Sequence, residues 1–301
     1  MTHASAIVSH LRSVALNVPD VAVAEDFFTR VWQLEVVAHT AEGVFLRGSG
    51  ADHHLISLHG HIGPASVRHV SLRTHSRTAM EQAAQAAHRM GARVLGPVSA
   101  LADPAGGVGL CVVDGHGRVY QLVHGDATHA SADAAPDRPI RLAHAVLNTH
   151  DVPASQAFLE QVLDFSLSDR TRIMAFMRCN SDHHSIALGD TDNDALNHIA
   201  FLMPDLDAVM RGGGRLKDAG HPIEWGPGRH GPGNNAFNYF IGPFDIVVEY
   251  TAEVQQIDDS YQSGQPEDWK WPTGRVDHWG ISAAPSDALK RAQRAVCFAP
   301  V

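Results

Sequence analysis

Two histidines and one glutamate have the residue types and settings to hold a metal ion. His144 stands in RLAHAVL, His198 in NHIAF and Glu249 in VVEY, three short runs of apolar or alternating residues that read as strands. Two imidazoles and one carboxylate from three strands can cover one face of an octahedral metal and leave the other positions for substrate and oxygen. Non-haem Fe(II) oxygenases use that donor set. Zinc accepts the same ligand types, so residue chemistry alone leaves the ion open. Glu249 is flanked by Val247, Val248 and Tyr250, with no Lys or Arg nearby in sequence. A buried lone carboxylate is costly unless it is paired, protonated or on a metal. The bland alternative is an edge strand with Glu249 facing water.

Because the chain has 21 histidines, position has to separate ligands from bystanders. An internal repeat supplies the test. LNVPDVAVAEDFFTRVW (16–32) matches LNTHDVPASQAFLEQVL (147–163), ADHHLISL (51–58) echoes SDHHSIAL (181–188), and VRHVSL (67–72) echoes LNHIAF (197–202). GRVYQLV (117–123) matches DIVVEYT (245–251), always at an offset of about 130 residues. His144 then corresponds to Ser13, His198 to His69 and Glu249 to Gln121. Ser and a neutral amide are poor ligands for a divalent ion, so one copy is equipped and the other is not.

The elements that must position these residues follow one order in each copy. A strand (RSVALNV; RLAHAVLN) leads into an amphipathic helix, which in the first copy carries Val23, Phe27, Val31 and Trp32 at near-helical spacing. Pro19-Asp20 and Pro153 mark the helix starts, where a missing N–H costs nothing. Short strands (EGVFLRG; IMAFMRC), another strand (RHVSLRT; NHIAFLM) and a helix closing at Gly91 or Gly220 follow. The expected fold is α+β: two tandem modules, each of paired βαβββ units in a curved, partly closed sheet around a cavity. The boundaries expected are residues 1–127 for a module without a metal site and 138–255 for the catalytic one. Residues 126–138 read as an Ala-, Asp- and Pro-rich linker. Residues 256–301 read as an extension packing on the second module.

Composition narrows the partners. The net charge is −10 and the Lys and Arg residues form no run, which argues against nucleic acid. No apolar stretch approaches the ~18 residues of a membrane span, and the N-terminus lacks a signal-peptide layout. Cys111, Cys179 and Cys297 form neither a disulfide framework nor a zinc motif. A cytoplasmic homo-oligomer is the expectation.

Through RLAHAVLNTHD, CNSDHHSIAL, LNHIAF and GRHGPGNNAFNYFIGPFDIVVEY, the sequence resembles the type I extradiol ring-cleavage dioxygenases of the vicinal oxygen chelate (glyoxalase–bleomycin resistance) superfamily. The resemblance covers both modules and is densest in the second. It implies tandem modules with iron in the C-terminal one alone, the asymmetry that the repeat shows independently. It implies that His144, His198 and Glu249 bind Fe(II), with Mn(II) as the alternative occupant. It further implies that His184 is the acid–base residue, working with a pKa near neutrality, and that Tyr239 hydrogen-bonds a substrate oxygen. His230 would face the substrate, and Val146 and Phe176 would shape the oxygen pocket. The implied reaction takes a catechol-type diol and O2 to a 2-hydroxymuconic semialdehyde-type product, in aromatic compound degradation. Bicyclic, alkyl and carboxylated catechols all remain open, and the GPGNN stretch is Gly-rich compared with members that process biphenyl-type diols. Within the superfamily the rival is a Zn, Ni or Mn lyase or isomerase indifferent to O2; outside catalysis it is a ligand-binding or resistance module. His150 and His183 read as structural.

Overall fold

The computed structural model describes residues 6–130 and 135–301, so part of the expected linker lies outside the described residues. In the first module the chain forms β1 (Val8–Val18), α1 (Val21–Asp26), β2 (Glu35–His39), β3 (Val44–Arg47), β4 (Ile56–Gly60) and β5 (Ser66–Thr74). It continues through α2 (Arg77–Arg89), β6 (Arg93–Ala100), β7 (Val108–Val113) and β8 (Val119–His124). The second module repeats the order with β9 (Arg141–Thr149), α3 (Val152–Leu163), β10 (Ser166–Arg170), β11 (Met174–Arg178), β12 (Ile186–Asp190) and β13 (Ala195–Leu202). Then come α4 (Leu206–Asp218), β14 (Trp225–Arg229), β15 (Ala236–Ile241) and β16 (Val247–Ala252), and an extension holding α5 (Asp287–Ala292) and β17 (Val296–Phe298).

Hydrogen bonding orders the first module's strands β2-β3-β4-β1-β5-β8-β7-β6. The second module's order is the same, β10-β11-β12-β9-β13-β16-β15-β14. The fold is mixed α+β, a large curved and unclosed sheet built from two like modules. Register agrees with the sequence repeat position by position. His69 pairs with Ala15 as His198 pairs with Val146, and Ser71 faces Gln121 as Ala200 faces Glu249. A one-residue slip would turn every side chain to the other face, so this agreement fixes which residues are counterparts.

Local signals set the helix ends. Asp20 and Asp151 cap α1 and α3 by accepting from Val23 N and Ala154 N. Gly91 and Gly220 take the left-handed backbone just past α2 and α4. The first helix departs from the expected stripe: after Asp26 it widens into a π-turn over Phe27–Val31, and Trp32 N bonds Phe27 O. The wider turn shifts the buried face to Phe27, Phe28 and Trp32, and Val23 is left 49% exposed.

The two modules share one core. Trp32 stacks on Tyr250 of β16 at 3.7 Å, and Tyr120 of β8 stacks on Phe158 of α3 at 5.6 Å. The first helix of each module thus packs on the other module's sheet. In the extension, β17 pairs with both β13 and β5 and stitches the modules together at their centre. No helix among the described residues is long and apolar enough to cross a membrane.

Candidate metal centre

Strands β9, β13 and β16 lie side by side and present His144, His198 and Glu249 to one point. All three side chains are buried, and one ligand atom of each falls within 4.8 Å of the others. The Nε2 atoms of His144 and His198 both stand 3.1 Å from Glu249 Oε2. Two further groups among the described residues are as compact, His53–His54–Asp103 and His116–His150–Asp194. Each of those already holds an arginine, Arg12 on Asp103 and Arg118 on Asp194. The ion-pair partners of Glu249 among the described residues are histidines only.

The proton on His198 can be located by following its hydrogen bonds outward. Asn148 Nδ2 donates to the Gln293 carbonyl at 2.9 Å, which turns Asn148 Oδ1 to accept from Asn197 Nδ2 at 2.9 Å. Asn197 Oδ1 therefore faces His198 Nδ1, 2.8 Å away, and that nitrogen must donate. Burial pushes the His198 pKa down to about 4, so at neutral pH the ring has this one proton and a lone pair at Nε2. That lone pair points at a carboxylate oxygen. Burial would raise the Glu249 carboxyl, but the facing His144 holds it well below the usual carboxylate range. A lone pair opposed to an ionised carboxylate is repulsive unless a cation stands between them. The donor set fits a divalent metal, with Asn197 and Asn148 as the outer partners that orient its ligand.

Three more polar side chains close on this point. His184, just before β12, lies with its ring centroid 4.3 Å from that of His144 and 5.1 Å from that of Phe176 in β11. Tyr239 of β15 is opposite Glu249 in the ladder, with its hydroxyl 3.4 Å from His198 Nε2. Burial, reinforced by the Glu249 charge, raises the Tyr239 phenol well above its ordinary value and keeps it protonated. His230, stacked on Phe237 at 4.0 Å, places Nε2 at 3.1 Å from the Tyr239 hydroxyl and 3.8 Å from Glu249 Oε1. Val146 is buried two residues beyond His144 on the same face of β9. The expectation of a near-neutral His184 is corrected. Burial, then the neighbouring His144 and His183 rings, pushes it well below the ordinary histidine value.

Residues 10–103 and 141–250 match the model of the Glyoxalase/Bleomycin resistance protein/Dioxygenase superfamily. The chain belongs to that superfamily. Over 139 residues it is 33% identical to metapyrocatechase 2 of Cupriavidus necator, covering 45% of this chain and 41% of the relative. The chain thus matches less than half the length of that relative. The Mn(II)-bound glyoxalase from Novosphingobium aromaticivorans is 32% identical, with 94% of each chain covered and a TM-score of 0.88. The homoprotocatechuate 2,3-dioxygenase of Arthrobacter globiformis shares the fold at 21% identity, with 98% of this chain and 94% of that one covered and a TM-score of 0.85. Superfamily members similar to this chain therefore include dioxygenases and a manganese-bound protein.

Several residues around this superfamily site escape a reading of the sequence. Asn235 donates to Thr251 Oγ1 at 2.7 Å and approaches Glu249 Oε1 at 3.5 Å. It lies in the GPGNN stretch, whose glycines read as a turn and carry no sign of a buried amide. Asn148 and Asn197 are amides inside otherwise apolar strands, and that anomaly is a readable signal of a buried polar network. His150 is exposed and pairs with Asp194 at 2.6 Å. His183 is fully buried and bonds Asp169 at 2.7 Å.

Proposed function

We propose that the chain is an extradiol dioxygenase that cleaves a catechol-type diol with O2 beside the hydroxyl pair, giving a 2-hydroxymuconic semialdehyde-type product. The observation that carries this reading is the convergence of His184 and Tyr239 on the His144–His198–Glu249 triad. A lyase would need the ligands but has less use for both of these. Fe(II), with Mn(II) as the alternative occupant, would be held by those three residues and would bring diol and O2 together and relay electrons between them. Tyr239, protonated and held by His230, donates a hydrogen bond to a substrate oxygen. His184, uncharged at neutral pH, accepts a proton from a substrate hydroxyl and returns it later; positioned acid–base groups of this kind contribute roughly 10²–10⁴-fold in rate. Val146 and Phe176 give the oxygen side an apolar wall.

Anaerobic loading with Fe(II), followed by catechols and O2, should give oxygen uptake and a yellow product. Full iron loading with no uptake on any catechol would reject the reading. His184→Phe should retain the metal and the diol while kcat falls by about 10²-fold or more. The similarity to a Mn(II)-bound glyoxalase over nearly the whole chain supports a second reading, a metal-dependent lyase or isomerase. That reading predicts turnover of thiol adducts or epimerisable acids at a rate independent of O2.

A further inference from the structure

His184 is one end of a buried chain of hydrogen bonds that the proposed reaction has not used. Its Nδ1 lies 3.1 Å from Nδ1 of His183. His183 Nε2 lies 2.7 Å from Asp169 Oδ2, and both His183 and Asp169 are fully buried. The remaining capacity of the carboxylate is taken up by the extension. The Tyr261 hydroxyl donates to Oδ2 at 3.0 Å and the Gly264 N–H to Oδ1 at 2.6 Å. Gly264 also accepts from Arg170 N at 2.9 Å, so the extension lies along β10 as a clamp.

We propose that Asp169 and His183 are positioning residues that fix the tautomer of His184, with its hydrogen on Nδ1 and a lone pair on Nε2. This rests on the role given to His184 in the dioxygenase reading. A carboxylate only accepts, so the hydrogen between Asp169 and His183 sits on His183 Nε2. Of the two Nδ1 atoms that face each other one must accept; with the His183 hydrogen placed on Nε2, that acceptor is His183 Nδ1, and His184 Nδ1 donates to it. The nitrogen left to take a proton from substrate is His184 Nε2.

The first module shows the same polarity, set from the opposite end. His53 and His54 repeat the Nδ1-to-Nδ1 contact at 3.1 Å. There His54 Nε2 lies 3.1 Å from Arg12 Nη1, and a guanidinium only donates. His54 therefore accepts at Nε2 and carries its hydrogen on Nδ1. In the second module no arginine occupies that place among the described contacts of His184, and Asp169 sets the direction from behind.

Asp169→Asn should reverse the chain. The Gly264 N–H holds the amide oxygen at the Oδ1 position, so the amide nitrogen faces His183 Nε2 and donates to it. His183 then donates from Nδ1, and the hydrogen of His184 moves to Nε2, where it blocks proton acceptance. The full chain, loaded with diamagnetic Zn(II) and isotope-labelled in its histidine rings, reports this directly through ring-nitrogen NMR. The His184 signals are identified by their loss in His184→Gln. The wild type should show a protonated Nδ1 and a lone-pair Nε2, and Asp169→Asn should show the two exchanged. In the iron-loaded enzyme the same variant should lower kcat about tenfold or more with little change in KM. His183→Phe, which removes the acceptor, should leave His184 as a mixture of tautomers.

A wild-type His184 protonated at Nε2 would overturn the assignment. So would an unchanged tautomer in Asp169→Asn or a single tautomer in His183→Phe. If Asp169→Asn does not fold, the wild-type and His183→Phe spectra still decide. A chain that cleaves no catechol yet switches tautomer as expected would reject the dioxygenase reading and leave this assignment standing.

Discussion

The two modules use one strand register for opposite electrostatic solutions. In the second, His144, His198 and Glu249 converge with only histidines as ion-pair partners of the carboxylate among the described residues. In the first, the fully buried Arg12 reaches between Ser13 and His54, the counterparts of His144 and His184, at 3.2 and 3.1 Å. Its guanidinium also bonds Asp103 and Asp126, and Arg73 joins Asp126 to Asp52. At the counterparts of Arg12, Arg73 and Asp126 the second module has Ala143, Leu202 and Val254, an apolar cluster. A fixed cation has taken the space in one module, and the other is shaped for a cation from outside. The lesson is that the backbone decides where a site can be, while a few inward side chains decide whether a metal or an arginine satisfies it.

The largest effect should come from making the second module resemble the first. Glu249→Gln copies Gln121 and removes the only carboxylate of the proposed ligand set while keeping volume and hydrogen-bonding capacity. Loss of an outer-sphere partner alone typically costs 10–100-fold in metal affinity, so loss of this ligand should cost more than about 100-fold. Competition against a chelating dye measures it. An affinity close to wild type would remove Glu249 from the ligand set.

The reverse perturbation tests the first module. Arg12→Ala removes the fully buried guanidinium that links Asp103 to Asp126, takes the arginine from Asp103 and leaves the buried Asp126 carboxylate to Arg73 alone. Breaking one side of a buried pair costs about 3–5 kcal/mol, and urea unfolding should show a loss in that range. Metal bound per chain should stay at the wild-type level, because the proposed ligands belong to the other module. A loss below about 1 kcal/mol, typical of surface pairs, would mean that the network fills space without holding the fold.

Much of this arrangement is legible in the sequence, for definable reasons. Period-two alternation marks the strands, and the repeat offset of about 130 residues carries the counterpart assignments through to the pairing register. His144, His198 and Glu249 are readable because each breaks an apolar strand with a metal-binding group. The π-turn at Phe27–Val31 is not readable, because a single extra residue per turn leaves the apolar count of the helix unchanged. The Asp169–His183–Tyr261 chain is hidden for another reason: its members are 14 and 92 residues apart and lie on three elements with no shared motif. The double pairing of β17 is equally silent, since Val296–Phe298 is too short to carry a pattern.

The smallest expected effect compares His54 with its counterpart His184 through pH. Burial, followed by the nearby Arg12 charge, pushes His54 well below the ordinary histidine value, whereas in the unfolded chain it titrates near 6.5. Below that pH the unfolded state binds a proton that the folded state refuses. Stability is therefore present in full above about pH 6.5 and is lost as the pH falls, at about 1.4 kcal/mol per unit. His54→Gln keeps the geometry in outline, since the amide oxygen can accept from Arg12 and the amide N–H can donate to His53. It removes the titration. Urea unfolding of both proteins at pH 7 and pH 5 should show the variant losing about 2 kcal/mol less than wild type across that interval. Equal losses would mean that His54 takes up its proton without leaving the native fold, and that Arg12 does not hold the histidine uncharged.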